Sequence, residues 1–397
     1  MVAYTRRRKA LGALSITLAA LALGGGGMFV LTQQKVWGEE GRGGPRARIE
    51  VTVNSVEGLL DALHRAGNGS VIKLAPGDYP FVEIKDLHVP GTVTITSAQP
   101  ERPARIAGML VEKSSGLVFR HLEFNPLSGS IRDLPFRFEK TQHLTLDHVF
   151  VHGPDNLEVA MEIPGLLFRN SEDVTLSNSR FTRLLHAVQV LNVTGWRVIG
   201  NEFWNLRSDG VRGGGVSDAL YANNVCAEFH PVVPNHPDCI QLWSTNAYEP
   251  GRRIVIRDNL VVRGKGEPTQ GIFVRDTFTK MPFENLEISG NLVIGTMFNG
   301  IAVDGVNGAK VIGNEAIALD GQKTWIRLQR AHRMELRDNI APKVLLLASS
   351  DIRDSGNRFN EDGHQAYRAR LVKWLEAKPE RWRKDSELVK RLVATAP

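Results

Sequence analysis

Between residues 209 and 304 the sequence gathers side chains suited to recognising an anion and moving a proton: Arg212, His230, His236, Asp238, Gln241, Trp243, Phe273, Arg275 and Asp304. The guanidinium fork of arginine matches a carboxylate, and an aromatic ring beside arginines and amides suits the faces of sugar rings. Histidine is the side chain that exchanges a proton near neutral pH. These types point to abstraction of a proton next to a carboxylate, a reaction that needs the anion neutralised and a base at the adjacent carbon. Arg212 and Arg275 are assigned to the carboxylate and His236 to the base. Asp238 orients or tunes that histidine, Gln241 bonds a hydroxyl or the carboxylate, and Trp243 stacks. Phe273, Asp304 and His230 complete the expected binding surface. Each has a plainer role as rival: Asp238 occupies the same place in its segment as Asp209, Gln270, Asn299 and Thr324, which favours a turn role, and Trp243 could serve packing alone.

A repeat places these residues on one surface. Six short alternating stretches end in Asn201, Asn224, Asn259, Asn291, Asn314 and Asn339, at spacings of 23, 35, 32, 23 and 25 residues. An apolar residue follows two positions on: Phe203, Cys226, Val261, Val293, Ala316 and Ala341. A second stretch recurs in each unit, starting at His186, Asp209, Asp238, Gln270, Asn299 and Thr324. Units this short leave no room for a helical crossover, so the pattern predicts an all-β fold, a parallel β-helix in which each unit is one coil of a solenoid. Alternation puts Val188, Val211, Ile240, Ile272, Ile301 and Ile326 in one inward column. It puts Gln189, Arg212, Gln241, Phe273, Ala302 and Arg327 in one outward column, and Leu191, Gly214, Trp243, Arg275, Asp304 and Gln329 in the next, with neighbours about 4.8 Å apart. The asparagines are expected to stack, each amide bonding the next and the turn backbone. Two adjacent coils are lengthened around the Asp238 stretch, at 228–237, 244–253 and 275–284. Extra residues leave a solenoid only as loops, which locates the site there.

Residues 51–63 (VTVNSVEGLLDAL) and 69–79 (GSVIKLAPGDY) resemble the N-terminal cap and first coil of right-handed β-helices of the pectate-lyase-like superfamily, which includes chondroitinase B, alginate lyases and mannuronan C5-epimerases. The resemblance covers residues 51–358. It implies a carbohydrate-active enzyme that removes the C5 proton of a uronate in an acidic polysaccharide, as lyase or epimerase. Asn235-His236-Pro237-Asp238 is a loose echo of the Asp-Pro-His-Glu/Asp signature of alginate epimerases, and the Lys/Arg and calcium-ligand pattern of the chondroitinase B group is absent. Two rivals remain. Asp209 with Asp238 would be the paired carboxylates of a glycoside hydrolase. A non-catalytic polysaccharide-binding or assembly protein of the cell envelope would use the same face as a groove. Independently of any family, Val56, Leu59, Leu60 and Leu63 form one apolar face of a short helix able to cap the solenoid, and Tyr367, Leu371, Trp374 and Leu375 predict C-terminal helices over the last coils.

The net charge of +6 belongs to the ends of the 397-residue chain. Residues 1–50 carry eight Lys/Arg against three Asp/Glu and residues 361–397 nine against six, leaving 32 against 34 in the body. A nucleic-acid partner is therefore not expected. Arg6, Arg7, Arg8 and Lys9 ahead of the uncharged 10–34 stretch read as an export signal, cleaved or retained. Its residues 10–31 are apolar enough to anchor the chain in the inner membrane, with the body periplasmic or secreted and no other membrane contact. The expected layout is a signal peptide or anchor at 1–34, a linker at 35–50, the β-helix at 51–360 and a helical cap at 361–397. Cys226 in the core column and Cys239 beside a strand start read as free thiols. Asp155, Glu158, Glu162, Glu172 and Asp173 would suit calcium but lack a calcium-loop spacing, so no metal or other cofactor is assigned.

Overall fold

A computed structural model of the chain describes residues 46–126, 134–155, 162–233, 235–319, 321–359, 363–378 and 386–396. The expected leader, most of the expected linker and Glu158 lie outside the described residues. Among the described residues, no helix is long and apolar enough to cross a membrane.

Alternating sequence becomes coils. The strands assemble into a 19-stranded and a 12-stranded sheet, and every pairing between them is parallel. The inward column holds: Val188, Val211, Ile240, Ile272, Ile301 and Ile326 are all buried and stand opposite one another from coil to coil. Aromatic rings stack along the same axis, Phe138 on Phe168 at 4.9 Å and Phe181 on Phe203 at 5.0 Å. Such ladders stabilise beyond the area they bury.

The asparagine ladder forms as the spacing predicts. Asn201, Asn224, Asn259, Asn291, Asn314 and Asn339 are buried, and the Nδ2 of each donates to the Oδ1 of the next at 2.9 to 3.1 Å. The same Oδ1 atoms accept the backbone N–H of the preceding rung, so each turn is satisfied without water. The ladder runs one rung further, to Asn357, and ends at the other side on Ser179, whose N–H donates to Asn201.

The N-terminal helix Val56–Arg65 starts at Ser55, whose hydroxyl accepts from the Gly58 N–H at 3.0 Å, and buries Leu59, Ala62 and Leu63 against the first coil. Two C-terminal helices, Gly363–Glu376 and Glu387–Thr395, are present as expected. They lie along the side of the solenoid, and the reason is in the strands Val225–Ala227, Leu260–Val262 and Leu292–Ile294, which are buried at every position. Their outward residues Val225, Ala227, Leu260, Val262, Leu292 and Ile294 need cover, and Tyr367, Leu371, Leu375, Leu388, Val389 and Leu392 supply it. The basic helix residues meet acidic partners on the body: Lys378 with Asp258 at 2.6 Å, Arg391 with Glu228 at 2.5 Å and Arg370 with Glu315 at 3.0 Å. The charge imbalance between body and tail is thus partly neutralised within the molecule.

The free-thiol expectation is overturned. Cys226 and Cys239 form a disulfide with Cα atoms 5.7 Å apart. Period-two alternation turns Cys239 away from the inward Ile240, but at this corner of the coil Asp238, Cys239 and Ile240 are all buried, and the thiol meets Cys226 across the coil. The bridge closes the base of the inserted loop that carries His230 and His236. A loop of this length constrains the unfolded chain by about 3 kcal/mol. Cys226→Ser should therefore lower the melting temperature and expose the loop to proteolysis between Ala227 and Pro237; unchanged melting and cleavage would show that the bridge contributes nothing.

Candidate functional site

The outward columns form the floor of an open groove. Gln189, Arg212, Gln241, Phe273, Ala302 and Arg327 are successive cross-strand neighbours, and so are Leu191, Gly214, Trp243, Arg275, Asp304 and Gln329. A cavity of about 610 Å³ lies over them, lined among others by Arg212, His236, Gln241, Trp243, Arg275 and Arg327. Two inserted loops are tied together at their bases, where the Ser244 hydroxyl donates to Asp276 Oδ1 at 3.0 Å and accepts from the Thr277 N–H at 2.9 Å. The 244–253 loop folds back on the solenoid through Asn192, whose Oδ1 accepts the Tyr248 N–H at 3.0 Å. The groove is thereby walled on one side by backbone that is itself hydrogen-bonded.

Arg212 lies over the Trp243 ring, 5.1 Å from its centroid, and its Nη1 is 3.2 Å from Asp209 Oδ2. Glycine is required at 214 for this stack: a Cβ there would run into the Trp243 carbonyl oxygen and sit 3.1 Å from Trp243 Cδ1. Trp243 is thus a half-exposed platform whose angle is fixed by a cation on one face. Arg275 is half exposed and stands 3.8 Å from Asp304, which is itself buried and bonded to Arg330 Nε at 2.6 Å. Asp304, expected to bind ligand, is placed by this geometry to hold two arginines.

His236 is exposed and lines the groove. Asp238 is 0% exposed. No hydrogen bond joins the two; Asp238 Oδ2 accepts from Gln241 Nε2 at 2.7 Å, and the Asp238 N–H donates to Asp209 Oδ1 at 2.9 Å. Burial, followed by repulsion from Asp209, pushes the Asp238 carboxyl well above the ordinary carboxylate range. Asp209 is raised by burial as well, opposed by the Arg212 charge and by the hydrogen bonds from the Asp238 N–H and Ser208. His186, one coil back, is held down to about 3 by burial and by the Arg212 charge and stays neutral. The expected tuning of His236 by Asp238 therefore gives way to a different arrangement, in which a buried acid pair under the floor fixes Gln241 and Arg212.

The sign of this pair has a consequence for stability. A carboxyl raised in the folded state favours folding at low pH, and that advantage is lost as pH rises from the ordinary value of 3.8 towards the folded one. Asp238→Asn removes the loss, so its unfolding free energy should gain on the parent's as pH is raised, by at most about 1.4 kcal/mol per pH unit, the free energy of one proton. A gap that does not change with pH would mean that Asp238 is ionised throughout.

Of the other expected residues, Phe273 lines the groove, while His230 stands outside it, exposed, with its N–H donating to the Leu206 carbonyl at 2.7 Å. Sequence reasoning had Arg327 in the outward column without assigning it to the site; it lines the groove two coils beyond Gln241's neighbour Phe273. Gln270, Asn299, Ser244 and Asp276 were missed as well, and only the position of Gln270 and Asn299 in the Asp238 column signalled them. Asp155 and Glu162 pair with Arg183 and Arg207, and Asp173 lies 3.3 Å from His143. Among the described residues, no three His, Cys, Asp or Glu side chains gather as metal donors.

Residues 163–316 match the family model described as right handed beta helix region. No curated protein matches the chain. Among solved structures, the surface adhesin PfbA of Streptococcus pneumoniae superposes with a TM-score of 0.53 at 14% identity, covering 77% of this chain and 88% of that one. The periplasmic alginate epimerase AlgG aligns with a TM-score of 0.41 at 10% identity, over 79% of this chain and 83% of that one. A family PL6 polysaccharide lyase from Pseudopedobacter saltans aligns with a TM-score of 0.43 at 12% identity, over 78% and 79%. Likeness at these identities is one of fold, and the fold is a right-handed parallel β-helix.

Proposed function

We propose that the protein is an exported carbohydrate-active enzyme that binds an acidic polysaccharide along this groove and removes the proton at C5 of a uronate, ending in β-elimination or epimerisation. The observation that carries this reading is the division of charge between groove and floor. Arginines 212, 275 and 327 and the base candidate His236 face the cavity, whereas the paired carboxylates Asp209 and Asp238 are 3% and 0% exposed beneath it. A paired-carboxylate hydrolase needs both groups at the scissile bond; the burial of both favours the proton-abstraction reading over it. In the proposed step the arginines draw charge from the uronate carboxylate, which acidifies C5–H, and the His236 imidazole takes that proton. In elimination the C5 electron pair forms the C4–C5 double bond and the C4 glycosidic oxygen leaves, taking a proton from the His236 imidazolium or from water; in epimerisation water delivers a new proton to the opposite face of C5, and His236 releases the first to solvent. Export accords with the disulfide, since such bridges persist in oxidising compartments.

The test is product mass after incubating residues 46–397 with a panel of uronate polymers. Fragments one water lighter than hydrolysis products support elimination. Full-weight fragments would replace this reading with hydrolysis; intact chains that take up solvent deuterium at C5 support epimerisation, and tight binding with neither fragments nor exchange would replace the reading with a binding protein.

A further inference from the structure

We propose that the groove continues beyond its reactive centre into a second subsite, built from Phe298, Trp325 and Lys323, that holds a distant ring of the same anionic polymer; the proposal rests on the groove being the polysaccharide site. The Phe298 and Trp325 rings lie 6.4 Å apart at 29°, and Lys323 Nζ sits 5.5 Å from the first centroid and 5.1 Å from the second. An aromatic pair serving packing alone would be covered, yet Phe298 is 47% exposed. Lys323 is exposed too, and among the described residues it has no carboxylate within ion-pair distance.

The cluster is held rigidly and in line with the site. Trp325 Nε1 donates to Asn299 Oδ1 at 2.9 Å, and Asn299 Nδ2 donates to Gln270 Oε1. Gln270 and Asn299 both line the groove, and Gln270 is the cross-strand neighbour of Asp238. Asp238, Gln270, Asn299 and Trp325 thus follow one another along the axis, so Trp325 stands three coils from Asp238, about 14 Å at the spacing of stacked strands. Arg327, two residues after Trp325, links the two regions. Two aromatic rings present apolar faces to a pyranose, and the ammonium over them is placed for the carboxylate that each uronate ring carries. The cluster, which adjoins the groove through Asn299, repeats the pairing of Arg212 with Trp243.

The experiment measures dissociation constants by calorimetry for polymannuronate and for its disaccharide, using the intact protein, Phe298→Ala, Lys323→Gln, and each change combined with His236→Ala to suppress turnover. Phe298 and Lys323 are exposed, so both variants should melt with the parent. Phe298→Ala should weaken polymer binding by about 3- to 10-fold, the value of one aromatic stacking contact, and leave the disaccharide unchanged. Lys323→Gln should weaken the polymer and flatten its salt dependence. Equal shifts for polymer and disaccharide, or none, would overturn the subsite. Polymer binding that depends on Phe298 without turnover by the parent would retire the enzymatic reading and keep the subsite, while a parent that binds no polyuronate would end both.

Discussion

His236→Ala lowers turnover on the protein's uronate polymer by about 10²- to 10⁴-fold, the usual contribution of a positioned general base. The effect should fall on kcat, because Arg212, Arg275 and Arg327 remain to bind the carboxylate and KM is set chiefly by them. A structural explanation of such a loss is separable. His236 is exposed and makes no hydrogen bond to Asp238, so the variant should melt with the parent. Added imidazole should restore part of the rate, since the vacated volume opens to the groove. A variant as active as the parent would remove His236 from the mechanism; among the described residues no other imidazole lines the groove, since His186 is buried and His230 stands outside it.

Asn259→Ala should cost about 4 kcal/mol. Asn259 is 0% exposed and its side chain makes four bonds: Nδ2 donates to the Tyr221 carbonyl at 3.0 Å and to Asn291 Oδ1 at 2.9 Å, and Oδ1 accepts from Asn224 N at 3.0 Å and Asn224 Nδ2 at 2.9 Å. Truncation strands the Tyr221 carbonyl and the Asn224 N–H without water, at about 1–3 kcal/mol each, and leaves a cavity. Because coils touch only their neighbours, the loss acts where the two inserted loops begin. Asn357→Ala at the exposed end of the ladder is the control and should cost about 1 kcal/mol. Urea midpoints for the two variants decide the matter; equal shifts would mean that the ladder follows from the fold without stabilising it.

The coils were legible because strand side chains have a period of two and the asparagines mark one turn per coil. Val211, Ile240 and Ile272 on the inside and Arg212, Gln241 and Trp243 on the outside follow from that phase alone. Corners break the rule. Cys239 and Asp238 are both buried where the chain enters the strand, so a disulfide and a buried acid pair appear where alternation gave a free thiol and a partner for His236. The reach of long side chains is equally hidden from a pattern of positions. Arg212 bends back to Asp209, and Asp304 is taken up by Arg330, neither of which a column predicts. The C-terminal helices were legible as helices from Tyr367, Leu371 and Leu375, but the face they cover is set by the outward apolar residues of a second sheet, Leu260 and Leu292 among them.

The most direct test of the central claim is to incubate the protein with polyuronates in deuterium oxide and read C5 by nuclear magnetic resonance. The account predicts either deuterium at C5 of uronate units in intact chains or new C4–C5 double bonds at chain ends, and neither with His236→Ala. Chains cut with C5–H retained and no double bond, or chains recovered unchanged, would contradict it.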